Sequence, residues 1–310
     1  MRSTENSFSP WHGCSRKSPG CRFCYADTNE QRWHKDTTLW RRNGERRVVA
    51  DSTWAQPSSW DRQAAAAGVD QLVFCASMCD VFEEHPQVID ARARLWTVIA
   101  QTPHLQWQLL TKRPENVAAM VPWAPGAWPH NVWLGTSVER QQEADERIPL
   151  LLATSARIKF LSLEPLLSPV DLTGFLIERR PVTDPELDAP DGAVVDGMER
   201  IGDHWTRTAG LDWLIIGGES ESAAKARPMQ LEWAQDLCAQ GARYEVSVFV
   251  KQLGRRLALQ VGARGVGRRF EDLPESLQVR QFPHGVRRPA VAAAQVADTS
   301  DIDRAGAVTA

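Results

Sequence analysis

The chain has 310 residues, of which 43% are hydrophobic and 24% are charged. These values are typical of globular proteins and exclude a wholly disordered or fibrous chain, while the length suits either two average domains or one barrel. The 36 basic and 39 acidic residues give a net charge of -3, which excludes a global positive field for nucleic acid or anionic membranes. Any such binding must be local.

No apolar run is long enough to span a membrane, and the first residues, MRSTENSFSPWHGC, lack the apolar stretch of a signal peptide. We therefore expect a cytoplasmic protein with no membrane partner. In that reducing compartment the six cysteines do not indicate a disulfide framework. A tight cluster of them instead indicates metal or redox chemistry.

Short apolar runs rich in Val, Ile, Leu and Trp predict buried parallel strands. They are LVFCAS (72–77), LQWQLLT (105–111), VWLGTS (132–137), IKFLSLE (158–164), WLIIGGE (213–219) and VSVFVK (246–251). Helical patterns lie between them at 89–103, 138–154 and 229–242, and a short first strand is expected at about 6–10. This alternation predicts an α/β fold, either an open doubly wound sheet or a barrel.

Polar groups follow nearly every predicted strand, in SMCD, TKRPE, TSVE, LEP, GGESE and KQ. Functional side chains of parallel α/β folds lie at the carboxyl ends of strands, so their convergence favours a barrel. We predict a partial (β/α)6 TIM-like barrel over residues 1–283. It would carry an irregular insertion at about 174–210, rich in Pro, Gly and Asp, and a disordered tail at 284–310 that has no aromatic anchor.

Three cysteines, Cys14, Cys21 and Cys24, lie close together near the amino terminus. Three thiolates can bind three irons of a four-iron cluster and leave the fourth iron open to a small molecule. The alternative is a closed structural zinc site with His12 as the fourth ligand. A third alternative is that the thiols bind nothing. Spacing alone does not separate iron from zinc.

Three charged residues at the strand ends are candidate catalytic groups. Glu164 lies between apolar neighbours, where a carboxylate is costly unless it is paired or functional. Lys112, with its neighbour Arg113, and Lys251 are able to bind a cofactor carboxylate or an anionic substrate. Their alternative role is that of solvated charges at the rim.

The segment IIGGES (215–220) combines small residues with a carboxylate. Gly217 and Gly218 allow the backbone to approach a ligand closely, and Glu219 can accept a hydrogen bond from an ammonium group or a ribose. The same residues also suit a tight turn from strand to helix, so both roles remain open.

A basic stretch that contains two tryptophans covers residues 31–47, QRWHKDTTLWRRNGERR. Local positive charge beside stacking aromatics, here Trp33 and Trp40, is typical of nucleic-acid binding. The alternative is a solvated amphipathic helix whose tryptophans pack on the barrel.

Several motifs together resemble a phage-associated family that is assigned to the radical S-adenosylmethionine proteins and whose reaction is unassigned. They are PWHGCSRKSPGCRFCYA, LLTKRPE, GTSVE, FLSLEPLL, IIGGES, ARPM, VFVKQLG and GRRFEDLPE. The resemblance covers about Ser7 to Pro283, and the wider superfamily, which includes spore photoproduct lyase, has a six-stranded partial barrel. This chain departs from the superfamily in having six residues, not three, between its first two clustered cysteines.

The resemblance implies a set of cofactors and ligand contacts. Cys14, Cys21 and Cys24 would bind a [4Fe–4S] cluster whose open iron takes S-adenosylmethionine, and an electron donor such as flavodoxin or ferredoxin would reduce it. Phe23 would pack near the adenine. Ser137 and Glu139 would contact the ribose or the amino-acid group, although both also suit capping of the following helix.

The leading hypothesis is therefore a radical S-adenosylmethionine enzyme that acts on nucleic acid or a nucleobase. Its expected catalytic residues are Glu164, Lys112 and Lys251, and its expected cofactor-binding residues are Phe23, Ser137, Glu139, Gly217, Gly218 and Glu219. The alternative is a zinc-stabilised nucleic-acid-binding module without catalysis. A metal-free hydrolase that uses Glu164 and Glu219 is disfavoured, because no pair of nucleophile and base is evident.

Overall fold

A computed structural model of the chain describes residues 3–35, 38–176, 194–195, 198–201, 204–207 and 210–283, with only the backbone at 33–34 and 194–207. The predicted tail at 284–310 lies outside these residues, as does much of the predicted insertion. The described part of that insertion contains three short strands in an antiparallel sheet. These strands show that short runs in the segment pair with one another, while the insertion as a whole stays a prediction.

The strands and helices alternate along most of the chain. The strands are β1 (Asn6–Ser7), β2 (Trp11–His12), β3 (Arg47–Val48), β4 (Gln71–Cys75), β5 (Leu105–Thr111), β6 (Val132–Ser137), β7 (Ile158–Leu163), β8 (Val194–Val195), β9 (Met198–Ile201), β10 (His204–Arg207), β11 (Trp213–Gly217) and β12 (Ser247–Gln252). The α-helices are α1 (Tyr25–His34), α2 (Asp51–Trp54), α3 (Gln56–Ala67), α4 (Ile89–Ala100), α5 (Val117–Met120), α6 (Gln141–Leu152), α7 (Leu231–Arg243) and α8 (Gly254–Gln260). None of the described helices is long and apolar enough to span a membrane.

Seven strands form one parallel sheet that curls into a half-barrel, in the order β1-β4-β5-β6-β7-β11-β12. The predicted α/β class and partial barrel are confirmed at this level. The sheet has seven strands because β1 also joins it, with Asn6 opposite Val73 of β4. All carboxyl ends point the same way, and we call that open end of the half-barrel the mouth.

The sheet is buried on both faces, which is why its strands are nearly continuous apolar runs. One face packs against the helices, where Leu134 of β6 shares a core with Leu95 and Ile148. The opposite, inner face carries an aromatic cluster: Trp213 of β11 has ring centroids 6.0 Å from both Trp133 and Phe160. These rings lie in the amino-terminal halves of their strands, so they fill the end of the half-barrel opposite the mouth.

The segment after α8 covers the edge strand β12. The Val250 N–H donates to the Val279 carbonyl at 2.8 Å, and the Gln281 N–H donates to the Val248 carbonyl at 2.8 Å. Phe282 then packs its ring 5.4 Å from that of Trp213. A free sheet edge is thereby paired, which prevents association with other strands.

Candidate active site at the carboxyl ends of the strands

Residues 13–24, which we call the cysteine loop, extend from β2 to the start of α1. The antiparallel strands β2 and β3, in which Trp11 lies opposite Val48, pair at the two ends of the segment 13–46, which contains this loop. At the first residue, Gly13, φ is +112° and an added Cβ would lie 2.7 Å from the Leu39 carbonyl oxygen. Only glycine can adopt this backbone conformation in the space available. At this turn the Gly13 N–H donates to the carbonyl of Met78, which follows β4, at 3.0 Å.

Charged side chains from the ends of β4 and β5 hold the first part of the loop. The N–H and the hydroxyl of Ser15 donate to Glu83 Oε1 at 2.7 and 2.5 Å. Arg113 Nη2 donates to the Ser15 carbonyl at 2.6 Å, and Arg113 Nη1 donates to Asp80 Oδ2 at 2.9 Å and to Cys14 Sγ at 3.7 Å. Cys14 is therefore fixed at the mouth, beside a guanidinium group.

Burial and ion pairing oppose each other in this network. Burial alone would raise the pKa of Glu83, but the hydrogen bonds from Arg46 and Ser15 and the Arg46 and Arg113 charges hold it below its ordinary value. Burial would likewise lower the pKa of Arg113, and Asp80 above all raises it instead. Both groups are consequently charged at neutral pH, as a buried network of this kind requires.

Glu139, which follows β6, anchors the middle of the loop. Its fully buried carboxylate accepts hydrogen bonds from the Ser18 hydroxyl at 2.7 Å, from Lys112 Nζ, and from Arg147 Nη1 at 3.1 Å. Although burial would raise the pKa of Glu139, the charges of Lys112 and Arg147 lower it. Both carboxylate oxygens are engaged by the protein itself, so Glu139 positions the loop in this conformation.

The alternative prediction, that Ser137 and Glu139 cap the helix that follows them, is wrong. Helix α6 begins at Gln141 with Arg140 at its N-cap, and no side chain caps it. Ser137 is buried, and its carbonyl accepts a hydrogen bond from Arg147 Nη1 at 2.7 Å. The helix starts later than the sequence pattern predicts because Val138 still donates to the Ser162 carbonyl, at 2.9 Å, in a sheet-like bond.

Replacement of Gly20 by alanine tests the fit between loop and carboxylate. An added Cβ would lie 2.3 Å from Glu139 Oε1, so the loop or the buried carboxylate must move. We expect the free energy of unfolding in urea to fall by about 1–3 kcal/mol, the usual cost of overpacking. The matched control is Gly174→Ala, whose Cβ meets nothing within 4 Å and should change stability by less than about 0.5 kcal/mol. Equal effects in the two variants would contradict this fit.

The last part of the loop contacts the segment after β11. The half-buried Phe23 ring lies 5.1 Å from the Arg22 guanidinium and 5.5 Å from that of Arg227. Arg227 in turn donates to Glu219 Oε2 through its N–H at 2.8 Å and its Nε at 3.1 Å. Two residues predicted to bind one cofactor, Phe23 and Glu219, are thus joined through Arg227. The sequence analysis did not single out that arginine.

Gly217, the last residue of β11, and Gly218, which follows it, do permit close approach, and the approaching atoms are those of the protein. An added Cβ on Gly218 would lie 2.4 Å from the Leu253 carbonyl oxygen, and one on Gly217 would lie 3.0 Å from Glu164 Oε1. The Gly218 carbonyl also accepts a hydrogen bond from Gln252. The tight-turn role is therefore visible here, whereas a contact of Gly217 or Gly218 with a cofactor stays a prediction.

Glu164 and Lys251, both predicted catalytic residues, contact each other across the mouth. Lys251 Nζ donates to Glu164 Oε2 at 2.7 Å, and Gln252 Nε2 donates to Oε1 at 2.8 Å. Burial would raise the pKa of Glu164, but Lys251 and Gln252 hold it below its ordinary value of 4.5. The pair is only partly buried, so both groups remain accessible to a substrate.

The Glu164 pair should make a pH-dependent contribution to stability. Because the folded-state pKa is depressed, the contribution is present above the unfolded-state pKa of about 4.3 and is lost as pH falls through the lower, folded value. In urea unfolding from pH 7 downwards, we expect Glu164→Gln to be less stable than the wild type at pH 7 and to approach it as pH falls below the folded-state pKa of Glu164. A difference that stays constant with pH would contradict the charged pair.

The three cluster thiols share one electrostatic environment. Burial raises the pKa of both Cys14 and Cys24, and the charge of Cys21 adds to each. The Lys17 N–H donates to Cys21 Sγ at 3.5 Å, and Cys24 stands at the N-cap of α1, where the helix dipole favours a thiolate. Lys112 lies close enough for its charge to lower the pKa of Cys24. All three thiols therefore lie near cationic or N–H groups at the mouth.

Within the residues that the structure describes, no three His, Cys, Asp or Glu side chains are grouped to hold a metal ion. A single zinc ion needs each thiolate about 2.3 Å from one point, whereas each iron of a cluster takes its own cysteine. Three thiols on one loop are the donor set that a cluster of this kind takes, and one of them faces an Arg113 N–H; that they bind a cluster stays a prediction.

His12, the fourth ligand in the zinc alternative, is engaged at the base of the loop. Its Nδ1 lies 3.3 Å from Glu30 Oε2 and 3.2 Å from Arg47 Nη2. Glu30 is buried, so it needs these partners. In this conformation His12 therefore stabilises the junction of β2, β3 and α1.

The basic stretch 31–47 is only partly available to a ligand. Arg46 is buried, and its guanidinium donates to Glu83 at 2.8 Å and to the carbonyl of Leu39 at 2.8 Å. Trp40 is also buried, in a small apolar cluster with Cys14 and Cys24. These two residues are therefore withdrawn from the expected nucleic-acid surface. The exposed cations that remain are Arg32, Lys35, Arg41, Arg42 and Arg47.

A parallel half-barrel whose mouth is covered by a three-cysteine loop defines the class of this protein: an α/β barrel-type fold with a thiol-containing candidate active site. The chain belongs to the family described as "Protein of unknown function (DUF5131)", whose profile matches residues 1–278. No curated protein and no solved structure matched the chain.

Proposed function

We propose that this protein is a radical S-adenosylmethionine enzyme in which Cys14, Cys21 and Cys24 bind a [4Fe–4S] cluster. The observation that carries the proposal is the path of the cysteine loop across the mouth. The loop contacts Arg113 after β5, Glu139 after β6 and Arg227 after β11. The loop that carries the thiols therefore lies at the end of a parallel fold where substrates bind.

Different residues of this chain would bind the cluster, stack against the adenine and offset negative charge. The three cysteines would hold the cluster, which when bound supplies the electron that cleaves a carbon–sulfur bond of S-adenosylmethionine. Phe23 offers a half-buried ring for stacking against adenine, with Arg227 above it. Lys112 lies near Cys21 and Cys24, where its charge offsets negative charge.

Glu164 and Lys251 are the groups proposed to act on the substrate. Their carboxylate and ammonium form a hydrogen bond of 2.7 Å in the mouth and remain partly exposed. The pair can orient a polar substrate and can hold a proton at Lys251 Nζ or release it. Gly217 lies against Glu164, and Ser137, Gly217 and Gly218, at the ends of β6 and β11, would shape the cofactor site.

Nucleic acid or a nucleobase is the proposed substrate class. The exposed cations of the 31–47 stretch suit phosphate contacts. Arg42 also lines a groove of about 650 Å³ that reaches Ser15 of the cysteine loop, but Glu45 and Glu84 line the same groove, so it is not a basic channel. The proposed phosphate contacts are therefore those of the surface cations, which belong to a segment that packs on the cysteine loop. A flavodoxin or ferredoxin is the proposed source of the electron.

The test is formation of 5'-deoxyadenosine by anaerobically reconstituted protein with dithionite and S-adenosylmethionine. We expect the product from the wild type and from Cys238→Ala, a control that removes a thiol packed against the core. The variant with Cys14, Cys21 and Cys24 all replaced by alanine should form none. Absence of the product from wild-type protein that carries the cluster would overturn the proposal.

A further inference from the structure

Arg113 is the one cationic side chain that the described structure shows donating to a cluster cysteine. Its Nη1 lies 3.7 Å from Cys14 Sγ, within the range of a hydrogen bond to sulfur. Its Nη2 donates to the Ser15 carbonyl at 2.6 Å and to the Ser15 hydroxyl oxygen at 3.0 Å. The side chain is only 8% exposed, so water screens this contact weakly.

Asp80 holds the guanidinium in this position through Nη1, the same nitrogen that donates to Cys14 Sγ. The buried carboxylate accepts from Arg113 Nη1 at 2.9 Å, from the Thr111 hydroxyl at 2.8 Å, and from the N–H groups of Lys112 and Phe82 at 3.0 Å each. Four donors fix the carboxylate, and the carboxylate fixes the arginine. The N–H that points at Cys14 Sγ is therefore preorganised.

Other cations near the loop are engaged elsewhere. Lys17 Nζ binds Glu115 at 2.6 Å, Arg16 binds Asp27 at 3.1 Å, and Lys112 Nζ binds Glu139. Arg46 donates to Glu83 and to backbone carbonyls. Of these side chains, Arg113 alone has a described contact with a thiol sulfur.

We infer that Arg113 and Asp80 are positioning residues that set the reduction potential of the cluster bound through Cys14. The inference rests on the proposed function. Hydrogen bonds to ligand sulfurs and nearby positive charge stabilise the more negative, reduced state and raise the potential, whereas a nearby carboxylate lowers it. The step concerned is the addition of one electron from an external donor, and no covalent bond at Arg113, Asp80 or Cys14 forms or breaks.

Substitutions of the two residues are therefore expected to shift the midpoint potential in opposite directions. Arg113→Lys keeps the positive charge beside Asp80 but replaces the planar guanidinium group, which donates to both Ser15 and Cys14 Sγ, with a single ammonium group. Because the hydrogen bond to the sulfur is then lost, the midpoint potential should shift to more negative values. In Asp80→Asn the amide oxygen can still accept from Arg113 Nη1 and keep the arginine in place, while a negative charge near Cys14 is removed, so the potential should shift to less negative values. The control is Arg16→Gln, which removes a charge from the same loop. Because Arg16 is exposed, screened by water and without a described sulfur contact, this variant should shift the potential much less than Arg113→Lys does.

The experiment is a dithionite titration of the full-length, reconstituted protein, followed by electron paramagnetic resonance, with iron and sulfide counted for each variant. Opposite shifts in Arg113→Lys and Asp80→Asn support the inference. Unchanged potentials, or shifts in the same direction, overturn it. Loss of the fold or of the cluster in Arg113→Lys also overturns it, since Arg113 would then serve structure or assembly. A wild type that binds no cluster refutes the proposed function itself, and the inference falls with it.

Discussion

Replacement of Glu139 by glutamine is expected to lower the free energy of unfolding by about 3–5 kcal/mol, the usual cost of removing one partner from a buried ion pair. The carboxylate is fully buried and serves two cations, Lys112 and Arg147, of which Arg147 is itself buried. Glutamine keeps the size of the side chain, so the decrease in the free energy of unfolding reports on the lost charge and not on packing. The relief of carboxylate desolvation offsets only part of the loss, because both cations stay in place without their counter-ion.

Urea unfolding at pH 7 measures this effect, with Glu146→Gln as the matched control. Glu146 lies on α6, is exposed, and should change stability by less than about 0.5 kcal/mol. Because Ser18 also loses its charged acceptor, the cysteine loop should detach more often and Cys21 should react faster with an alkylating reagent. A Glu139→Gln variant as stable as the wild type would refute the anchoring role.

Replacement of Glu83 by glutamine should have an effect of similar size, about 3–5 kcal/mol. The Arg46 guanidinium is fully buried and donates to both carboxylate oxygens, at 2.8 and 2.9 Å. Neutralising Glu83 leaves that cation without a counter-ion and weakens the two hydrogen bonds from Ser15. The 38–47 segment and the cysteine loop should therefore loosen together.

The adjacent residue provides the control for this substitution. Glu84 is exposed, and Glu84→Gln should unfold within about 0.5 kcal/mol of the wild type. Calorimetry or urea unfolding measures the stability of the wild type, Glu83→Gln and Glu84→Gln. The alkylation rate of Cys14 reports on how often the cysteine loop opens. Similar stability and similar Cys14 reactivity in both variants would contradict the role of Glu83.

The sheet was accessible to sequence reasoning because strands buried on both faces are short, continuous apolar runs. β5 and β6 begin and end where the pattern predicts, at Leu105–Thr111 and Val132–Ser137. The placement of Glu164 and Lys251 at the same mouth was predictable from their positions at the ends of parallel strands, whereas the hydrogen bond between them was not predicted. Topology alone brings such residues together at one edge of a sheet.

The network around the cysteine loop was not accessible in the same way. Arg46 binds Glu83, 37 residues away, and no local period relates the two. Sequence composition presented Arg46 as part of a basic surface and Trp40 as a stacking residue. Both are buried because the segment folds back over Cys14 and Cys24. A polar run after β4, CDVFEE, was the available signal, but a single sequence does not identify which cation pairs with it.

The most direct measurement is the iron, sulfide and zinc content of the anaerobically purified and reconstituted chain, with the variant that lacks Cys14, Cys21 and Cys24 as the control. We expect about four irons and four sulfides per wild-type chain and neither in the control. One zinc ion per chain, with no iron taken up, would contradict it.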